Sequence, residues 1–395
     1  MQSVVEDSKQ GCPFATENTD SKTAAAVARR FAVNPDYEQV QDFEHARKVL
    51  LDKGLLQAGA GAEFIDKSRP ELAPVFYLDG PEHLARRTAI ARYFTPKTIT
   101  SRYHAIIERE TARLLGQLRR DGRAHLDISS FELTVAVAAN IVGLTNSDVP
   151  KMARRLAILL AGAGIHKLGP IARVATQMRR VRAIASFYIN DVVPAVRARR
   201  SQPQDDIISQ LLEKDASWRV ILTECMTYAG AGMVTTREFI VVAAWHLLDD
   251  PALREDFLDG DEDRQFAILN EILRLEPIAT LLHRRTPKDT EHPEGHTYAL
   301  DLRSIHLDEA AVGPCPLSLD PDRAAQKKAN AAYLNFGVGA HHCPGKQVAL
   351  HETRMFLDAL LRVPGIRLER APDVGWSEAL ESYELRDAIV VCDRA

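Results

Sequence analysis

Residues 336–345 read FGVGAHHCPG, and residues 346–363, KQVALHETRMFLDALLRV, repeat apolar side chains with the period of a helix. Cys343 therefore stands just before a predicted helix. The first turn of a helix presents unpaired backbone N–H groups and a partial positive charge, and both favour a thiolate over a thiol. The three glycines of the loop permit backbone conformations and close approaches that a side chain would block. This stretch predicts a loop that holds a cysteine thiolate.

The other four cysteines of the chain lack such surroundings. An isolated cysteine is more often an inert buried residue than a reactive one, and we expect this of Cys12, Cys225, Cys315 and Cys392. The odd total of five cysteines, without C-x-x-C spacing, argues against a disulfide framework. Cys343 is therefore the candidate for chemistry.

The cysteine loop resembles the haem-binding signature F-x-x-G-x-x-x-C-x-G of the cytochrome P450 family. Phe336, Gly339, Cys343 and Gly345 match its fixed positions, and His341 stands where the family places a propionate-binding residue. The resemblance implies a soluble, bacterial-type monooxygenase with haem b, whose iron is ligated by the Cys343 thiolate. Thiolate ligation of haem iron favours cleavage of the O–O bond.

A second group of residues resembles the family's E-x-x-R pair. In LNEILRLEP, Glu271 and Arg274 lie three residues apart on a predicted helix, and therefore on one helical face. Such a pair alone is usually a surface salt bridge. The resemblance implies that Arg323, in the proline-containing coil at 308–335, is their third partner. Their expected role is structural, because they would tie the coil to the helix and keep the cysteine loop in register.

The resemblance also implies that basic side chains bind the two haem propionates. His83 and Arg87 lie four residues apart on a predicted helix, and Arg284 and His341 complete the expected set. Half-buried carboxylates need cationic hydrogen-bonding partners, which arginine and histidine provide. Taken singly, each of these residues is as well explained as a solvated surface group, and Arg284 competes with its neighbour Arg285 for the role.

The segment TECMTYAGAGMVTTREFIVVAAWHLL predicts a helix that contains Gly230 and Gly232. Each glycine costs about 1 kcal/mol relative to alanine inside a helix. A groove that lets another molecule approach the backbone would explain why glycines are kept here. Tight packing against a neighbouring helix is the alternative explanation. The hydroxyl of Thr235 is placed to take the Ala231 carbonyl out of the helical ladder.

Within that helix, AGMVTT resembles the family's A/G-G-x-D/E-T-T/S motif, which implies that Ala231, Gly232 and Thr235 serve in oxygen activation. Val234 occupies the position of the acid, so the usual acid and alcohol pair for proton delivery is incomplete. Glu238, one turn later, is a candidate substitute, although an exposed helix carboxylate is the commoner case. Either another group or ordered water delivers the protons, or the chemistry needs no ordinary relay.

Helical periodicity dominates the 395 residues, and strand-like alternation is confined to short pieces such as TYALDL and AIVVCD. The resemblance, over roughly residues 40–392, implies a mainly α P450 fold, a helical bundle with a small, reduced β region. We expect residues 1–20 to form a flexible leader and residues 21–395 a single P450 domain. Helices are predicted near 43–52, 81–120, 130–145, 150–165, 171–200, 205–213, 217–249 and 264–275.

Composition limits the classes of partner. The formal net charge of -4 supplies no field that attracts nucleic acid or anionic lipid, and no run of 18 apolar residues occurs. We therefore expect a cytoplasmic protein with neither a nucleic-acid nor a membrane partner. Electrons would come from ferredoxin and ferredoxin reductase, because no flavin or iron–sulfur segment is recognised. A basic docking face on the cysteine side is predicted to include Arg92, Lys97, Lys346 and Arg354.

The expected activity is insertion of one oxygen atom from O₂ into a small, largely apolar organic molecule. By analogy with the family, the substrate would meet residues 54–78, the helix pair near 155–185, Ala231 and Thr235, residues 278–282 and the turn near 383. The alternatives are a peroxide-driven or oxidative-coupling enzyme, a haem-binding sensor or carrier without turnover, and an unrelated helical protein without haem.

Overall fold

The structure of the chain is a computed structural model. It describes the following residues: 19–30, 33–59, 62, 68–160, 169–287, 295–327, 333–377 and 381–394. Residues 1–18 of the expected leader lie outside them, as does the part of the predicted helix at 150–165 that follows residue 160.

The described chain is mostly helical, in agreement with the predicted fold class. The helices are α1 (Ala24–Ala28), α2 (Phe43–Leu51), α3 (Gly80–Ile90), α4 (Pro96–Thr98), α5 (His104–Asp121), α6 (Leu126–Val142), α7 (Val149–Leu160), α8 (Pro170–Phe187), α9 (Val193–Ser201), α10 (Ile207–Glu213), α11 (Trp218–Tyr228), α12 (Thr235–Asp249), α13 (Pro251–Asp259), α14 (Glu262–Leu275), α15 (Leu302–Ile305), α16 (Glu309–Val312), α17 (Arg323–Lys327) and α18 (Lys346–Leu361).

Three of the long predicted helices are interrupted and contain wider, π-helical turns. The helix predicted at 81–120 is broken after Ile90 and contains the turn Ile99–Tyr103. The helix predicted at 171–200 is divided by the turn Tyr188–Val192, and the helix predicted at 217–249 by the turn Ala229–Val234. The turn Ala229–Val234 contains both glycines of the AGAGMV segment. Such turns occur often at functional sites.

The strands form small sheets, as the fold prediction required. They are β1 (Glu38–Val40), β2 (Leu56–Ala58), β3 (Arg123–His125), β4 (Leu281–Arg285), β5 (Thr297–Asp301), β6 (Arg367–Arg370), β7 (Asp373–Ser377), β8 (Ser382–Arg386) and β9 (Ile389–Val391). In the described chain, the sheet orders are β1-β5-β4-β2, β3-β9-β6 and β7-β8. The predicted pieces TYALDL and AIVVCD contain β5 and β9.

Helix α12 runs through the main hydrophobic core. Its residues 240–244, IVVAA, are fully buried, because α6, α14 and α18 pack around them. A helix that is apolar on every side is expected to lie inside the protein. The core therefore fixes α12, and with it the π-helical turn at its start. Among the described residues, no helix is both long and apolar enough to cross a membrane.

Candidate active site

The cysteine loop is closed by its own backbone. The Cys343 N–H donates a hydrogen bond to the Phe336 carbonyl at 2.8 Å, and helix α18 begins three residues after the cysteine. Gly339 has φ +73°, and a Cβ at this position would lie 3.0 Å from the Leu50 carbonyl oxygen. Glycine avoids both the backbone strain and the close contact. The loop thus packs against the end of α2, with the cysteine side chain at the start of α18.

Burial raises the pKa of the Cys343 thiol. The backbone N–H groups of Gly345 and Lys346 and the positive charges of Arg87 and Lys346 act in the opposite direction, as expected for the start of a helix. The net direction differs from the sequence-based expectation, because burial outweighs these contributions. A metal cation bound by Cys343 would supply the missing positive charge, since a coordinating thiol is deprotonated.

The E-x-x-R residues meet Arg323 in a buried cluster. Arg274 donates to both carboxylate oxygens of Glu271, at 2.9 and 2.8 Å, and Arg323 donates to Glu271 Oε1 at 3.0 Å. The two guanidinium groups also donate to the backbone carbonyls of His306, Val312, Pro314, Cys315, Pro316 and Ser318. Buried polar groups need such partners. The arginines thus order a coil that has little regular structure.

The proposed propionate ligands gather near the cysteine loop. The rings of His83 and His341 stack, with centroids 4.1 Å apart and an angle of 21° between their planes. His341 Nε2 lies 3.2 Å from Asp79 Oδ1, and the buried Arg284 donates to Gln57 Oε1 at 2.7 Å. Sequence reasoning missed Asp79 and Gln57, since no motif marks them.

Positive charge dominates this cluster. Burial, with smaller contributions from the charges of His341, Arg87 and Arg284, lowers the pKa of His83 to about 4, while Asp79 opposes them. Burial also lowers the pKa of Arg284 to about 10. Arg87 donates to the His342 carbonyl in the cysteine loop. A half-buried excess of cationic groups fits a ligand with two carboxylates, as haem has.

The π-helical turn Ala229–Val234 leaves open space beside the backbone. A Cβ added at Gly230 or at Gly232 would meet no heavy atom within 4 Å. Tight helix packing is therefore not the reason for these glycines, and the groove predicted from the sequence is favoured. The Thr235 hydroxyl donates to the Ala231 carbonyl at 2.8 Å, as predicted from the sequence.

The expectation that Glu238 is exposed is wrong. Glu238 is only 1% exposed, because β8 packs against this face of α12. The carboxylate accepts hydrogen bonds from the Leu385 backbone N–H and from Arg386, both at 2.8 Å, and from Arg237 Nε at 3.0 Å. These donors fix Glu238 and attach the β7–β8 hairpin to the helix.

A cavity of about 560 Å³ lies between α7, α8, the π-helical turn and the β7–β8 hairpin. Its lining includes the expected helix pair near 155–185, but Ala231 and Thr235 are not among the described lining residues. The hairpin contributes Glu384, whereas Tyr383 is buried and donates to the Glu276 carbonyl at 3.0 Å. Part of the lining is charged, so the cavity is less apolar than the sequence suggests.

Comparison with known proteins points to one family. The family model described as Cytochrome P450 matches residues 266–363, which contain Glu271, Arg274, Arg323 and Cys343. This match and the curated relatives support a bacterial-type cytochrome P450. Its relatives are haem-thiolate monooxygenases, so this chain is an oxidoreductase of the same kind, with haem iron held by a cysteine.

Individual P450 relatives align along most of the chain. Cytochrome P450(MEG) of Priestia megaterium is 25% identical over 375 residues, which cover 89% of this chain and 87% of that protein. Mycinamicin IV hydroxylase/epoxidase of Micromonospora griseorubida is 27% identical over 367 residues, 88% of each chain. Substrate-free CYP109E1 from Bacillus megaterium has a TM-score of 0.74 at 21% identity, covering 90% of this chain and 93% of its own, which supports the fold.

Proposed function

We propose that the protein inserts one oxygen atom from O₂ into a C–H or C=C bond of a small organic substrate. The second oxygen atom leaves as water, with two electrons from a reduced carrier and two protons from solvent. The observation that carries the proposal is the open groove at Gly230 and Gly232 with the Thr235 to Ala231 hydrogen bond beside it. A haem-binding protein without turnover has no need of that groove.

The side chains of the cysteine loop and of the basic cluster would hold the cofactor. Cys343 is the proposed iron ligand, and Phe336, Gly339 and Gly345 shape the loop around it. When bound, thiolate-ligated haem supplies activation of dioxygen through cleavage of the O–O bond. His83, Arg87, Arg284 and His341 are the proposed ligands of the two propionates. The propionates would balance the excess of positive charge that this cluster carries near neutral pH.

Protons are proposed to reach the groove through ordered water held at Thr235. Val234 has no titratable group, and Glu238 is already held by Arg237, Arg386 and a backbone amide. A carboxylate with these fixed partners is poorly placed to rotate and exchange protons. In the described contacts, the Thr235 hydroxyl donates its proton to the Ala231 carbonyl. Its oxygen can therefore still accept a hydrogen bond from water.

Ferredoxin and ferredoxin reductase are the proposed electron donors, acting in the cytoplasm. Of the described cysteines, Cys225, Cys315 and Cys392 form no disulfide, which fits a reducing compartment. Of the predicted docking face, Arg92 is 56% exposed and Lys346 lies over the Phe336 ring. Arg354 instead pairs with Glu262 at 2.8 Å, which weakens its part in the face. High salt would screen the attraction between the basic docking face and the electron carrier, so electron transfer should slow.

Isotope labelling tests the reaction. The haem-loaded protein is supplied with ferredoxin, its reductase, reduced nicotinamide nucleotide and a substrate found by spectral titration, under ¹⁸O₂. We expect one ¹⁸O atom in each product molecule and none when the label is in water instead. If product forms only when hydrogen peroxide is supplied, and carries no ¹⁸O from O₂, the proposal is overturned. That result would favour a peroxide-driven enzyme, which the absence of an acid at Val234 supports.

A further inference from the structure

The hydroxyl of Tyr228 is a buried hydrogen-bond donor without a partner. Tyr228 ends α11, directly before the π-helical turn, and its phenol oxygen is shielded from solvent yet forms no hydrogen bond with a described residue. Buried tyrosines usually bond their hydroxyl, because an unpaired polar group in the interior is costly. The hydroxyl therefore requires an acceptor that the described residues do not supply.

The phenol lies on the α3 side of its helix. Met226 and Gly230, two residues before and after it, line the cavity of about 560 Å³, but Tyr228 is not among the described lining residues. Its ring stacks with the ring of Phe94, with centroids 6.5 Å apart and an angle of 13° between the planes. Phe94 ends the short turn that follows α3, a helix that contributes to the basic cluster. The hydroxyl thus faces this cluster and not the cavity.

Two arginines of α3 lie near the hydroxyl. Burial raises the pKa of Tyr228, whereas the positive charges of Arg86 and Arg87 lower it. The net pKa is raised, so the phenol keeps its proton at neutral pH. Arg86 is already engaged, since it donates to the Glu224 carboxylate and to two backbone carbonyls. A guanidinium group has no acceptor atom, so neither arginine can accept the phenol proton.

Arg87, in contrast to Arg86, keeps N–H groups that no described residue accepts. It bonds the His342 carbonyl in the described contacts, although a guanidinium group carries five donors. Burial lowers its pKa, and Cys343 and Tyr228, not an aspartate or a glutamate, oppose this change. Two half-buried donors, one of them cationic, thus lie near each other without a described carboxylate. A carboxylate ligand fits both donors, because it is an anion that only accepts hydrogen bonds.

We propose that the Tyr228 hydroxyl and the Arg87 guanidinium together hold one haem propionate. This inference rests on the proposed function, because it adds Tyr228 to the residues assigned to the same cofactor. Arg87 reaches the cysteine loop through His342, and the propionates are the peripheral groups of haem that accept hydrogen bonds. A substrate carboxylate fits less well, since Tyr228 is not among the described residues of the cavity wall.

A hydroxyl that donates to a propionate has two consequences. It ties the cofactor to α11 as well as to α3 and the cysteine loop, so haem should leave the protein more slowly. It also withdraws negative charge from the propionate, and less negative charge near the iron favours the ferrous state over the ferric state. A tyrosine that only packs against Phe94 would change neither property when its hydroxyl is removed.

Tyr228→Phe tests the proposal, because it removes the hydroxyl and keeps the ring. Transfer of haem from the ferric, haem-loaded protein to excess apomyoglobin is followed by visible absorption. We expect haem loss to be about tenfold or more faster, since hydrogen bonds to charged groups are among the stronger ones. The reduction potential should fall. In the resonance Raman spectrum, the propionate bending band should move to lower frequency, as expected when a propionate loses a donor.

Tyr103→Phe is the matched control. This fully buried tyrosine bonds its hydroxyl inside the protein, to the Tyr93 carbonyl at 3.0 Å. The variant should lower the free energy of unfolding in urea but leave haem loss, reduction potential and the Raman band unchanged. Equally fast haem loss in both variants would overturn the inference, because general loosening would explain it. Tyr228→Phe with the rate and band of the unchanged protein would also overturn it, in favour of a buried water as the partner.

The outcomes separate this inference from the proposed function. The band at about 450 nm with carbon monoxide should remain in Tyr228→Phe, because the thiolate ligand is untouched. An unchanged Raman band beside that spectrum would overturn the role of Tyr228 alone. Product without ¹⁸O from O₂ would overturn the proposed function alone, since propionate binding does not depend on the oxidant. A protein that gives no thiolate-type spectrum would overturn both.

Discussion

Two regions of this protein are built in different ways. The cysteine side contains the cysteine loop and the cluster of Glu271, Arg274 and Arg323, and the oxygen side is the π-helical turn Ala229–Val234 with Thr235. Around Glu271, Arg274 and Arg323, buried charges are paired and the surrounding carbonyls are hydrogen bonded. Around Gly230 and Gly232, the helix widens and leaves space that no described side chain fills. One region is therefore fixed to hold a ligand, whereas the other keeps room for a reaction.

The largest effect should come from breaking the paired region. Arg274→Met leaves Glu271 with one guanidinium and several coil carbonyls without donors, so we expect a loss of about 3 to 5 kcal/mol in the free energy of unfolding. Urea unfolding measures it, together with haem content. Arg362→Met, which removes an exposed pair with Asp358, is the control and should cost less than about 1 kcal/mol. Equal losses would contradict the comparison.

Glu352 is the exception within the cysteine side. It is buried on α18, its Oε1 has no described partner, and burial raises its pKa to about 8 from 4.5. Between these values the folded state keeps a proton that the unfolded state has lost, so stability falls as pH rises by about 1.4 kcal/mol per pH unit. Glu352→Gln should remove this slope between pH 4.5 and 8. Urea unfolding across that range checks it, and an unchanged slope would exclude Glu352 as its source.

On the oxygen side, Thr235→Ala should separate oxygen consumption from product formation. Without the hydroxyl, water in the groove loses a partner, so product per electron pair should fall about tenfold or more and hydrogen peroxide should rise. Thr227→Ala is the matched control, because Thr227 makes the same bond, to the Thr223 carbonyl at 2.8 Å, on α11. If both variants behave alike, Thr235 has no special role in proton delivery.

Two glycine substitutions should change stability in opposite directions. Gly230→Ala places a methyl group in open space and removes a helix penalty, so stability should rise by up to about 1 kcal/mol. Gly339→Ala forces alanine into a backbone conformation with positive φ and places its methyl group close to the Leu50 carbonyl oxygen. Stability should therefore fall by about 1 kcal/mol or more. Thermal unfolding measures both. Destabilisation by Gly230→Ala would indicate packing that the structure does not contain.

The sequence was most informative where function depends on local spacing. The cysteine before α18 and the Glu271 and Arg274 pair are set by residues a few positions apart, and helical periodicity predicts their positions. The Thr235 to Ala231 bond, between residues four apart, was predictable for the same reason. Short strands such as β2 and β3 have too few residues for their alternation to stand out.

The charges of the oxygen side could not be predicted, because distant parts of the chain bring them together. Glu238 is covered by Leu385 and Arg386, which lie 147 and 148 residues further along the chain. The cavity likewise joins Arg180 of α8 to Glu384 of the hairpin. No pattern within either segment indicates such a neighbour, so Glu238 was expected to be exposed.

Ligation of haem iron by the Cys343 thiolate is tested most directly by the visible spectrum of the dithionite-reduced protein with carbon monoxide. We expect a band at about 450 nm, from the electron-donating thiolate, which remains in Cys225→Ser and is lost in Cys343→Ser. A band at about 420 nm in the unchanged protein, or the same band in Cys343→Ser as in the unchanged protein, would contradict it.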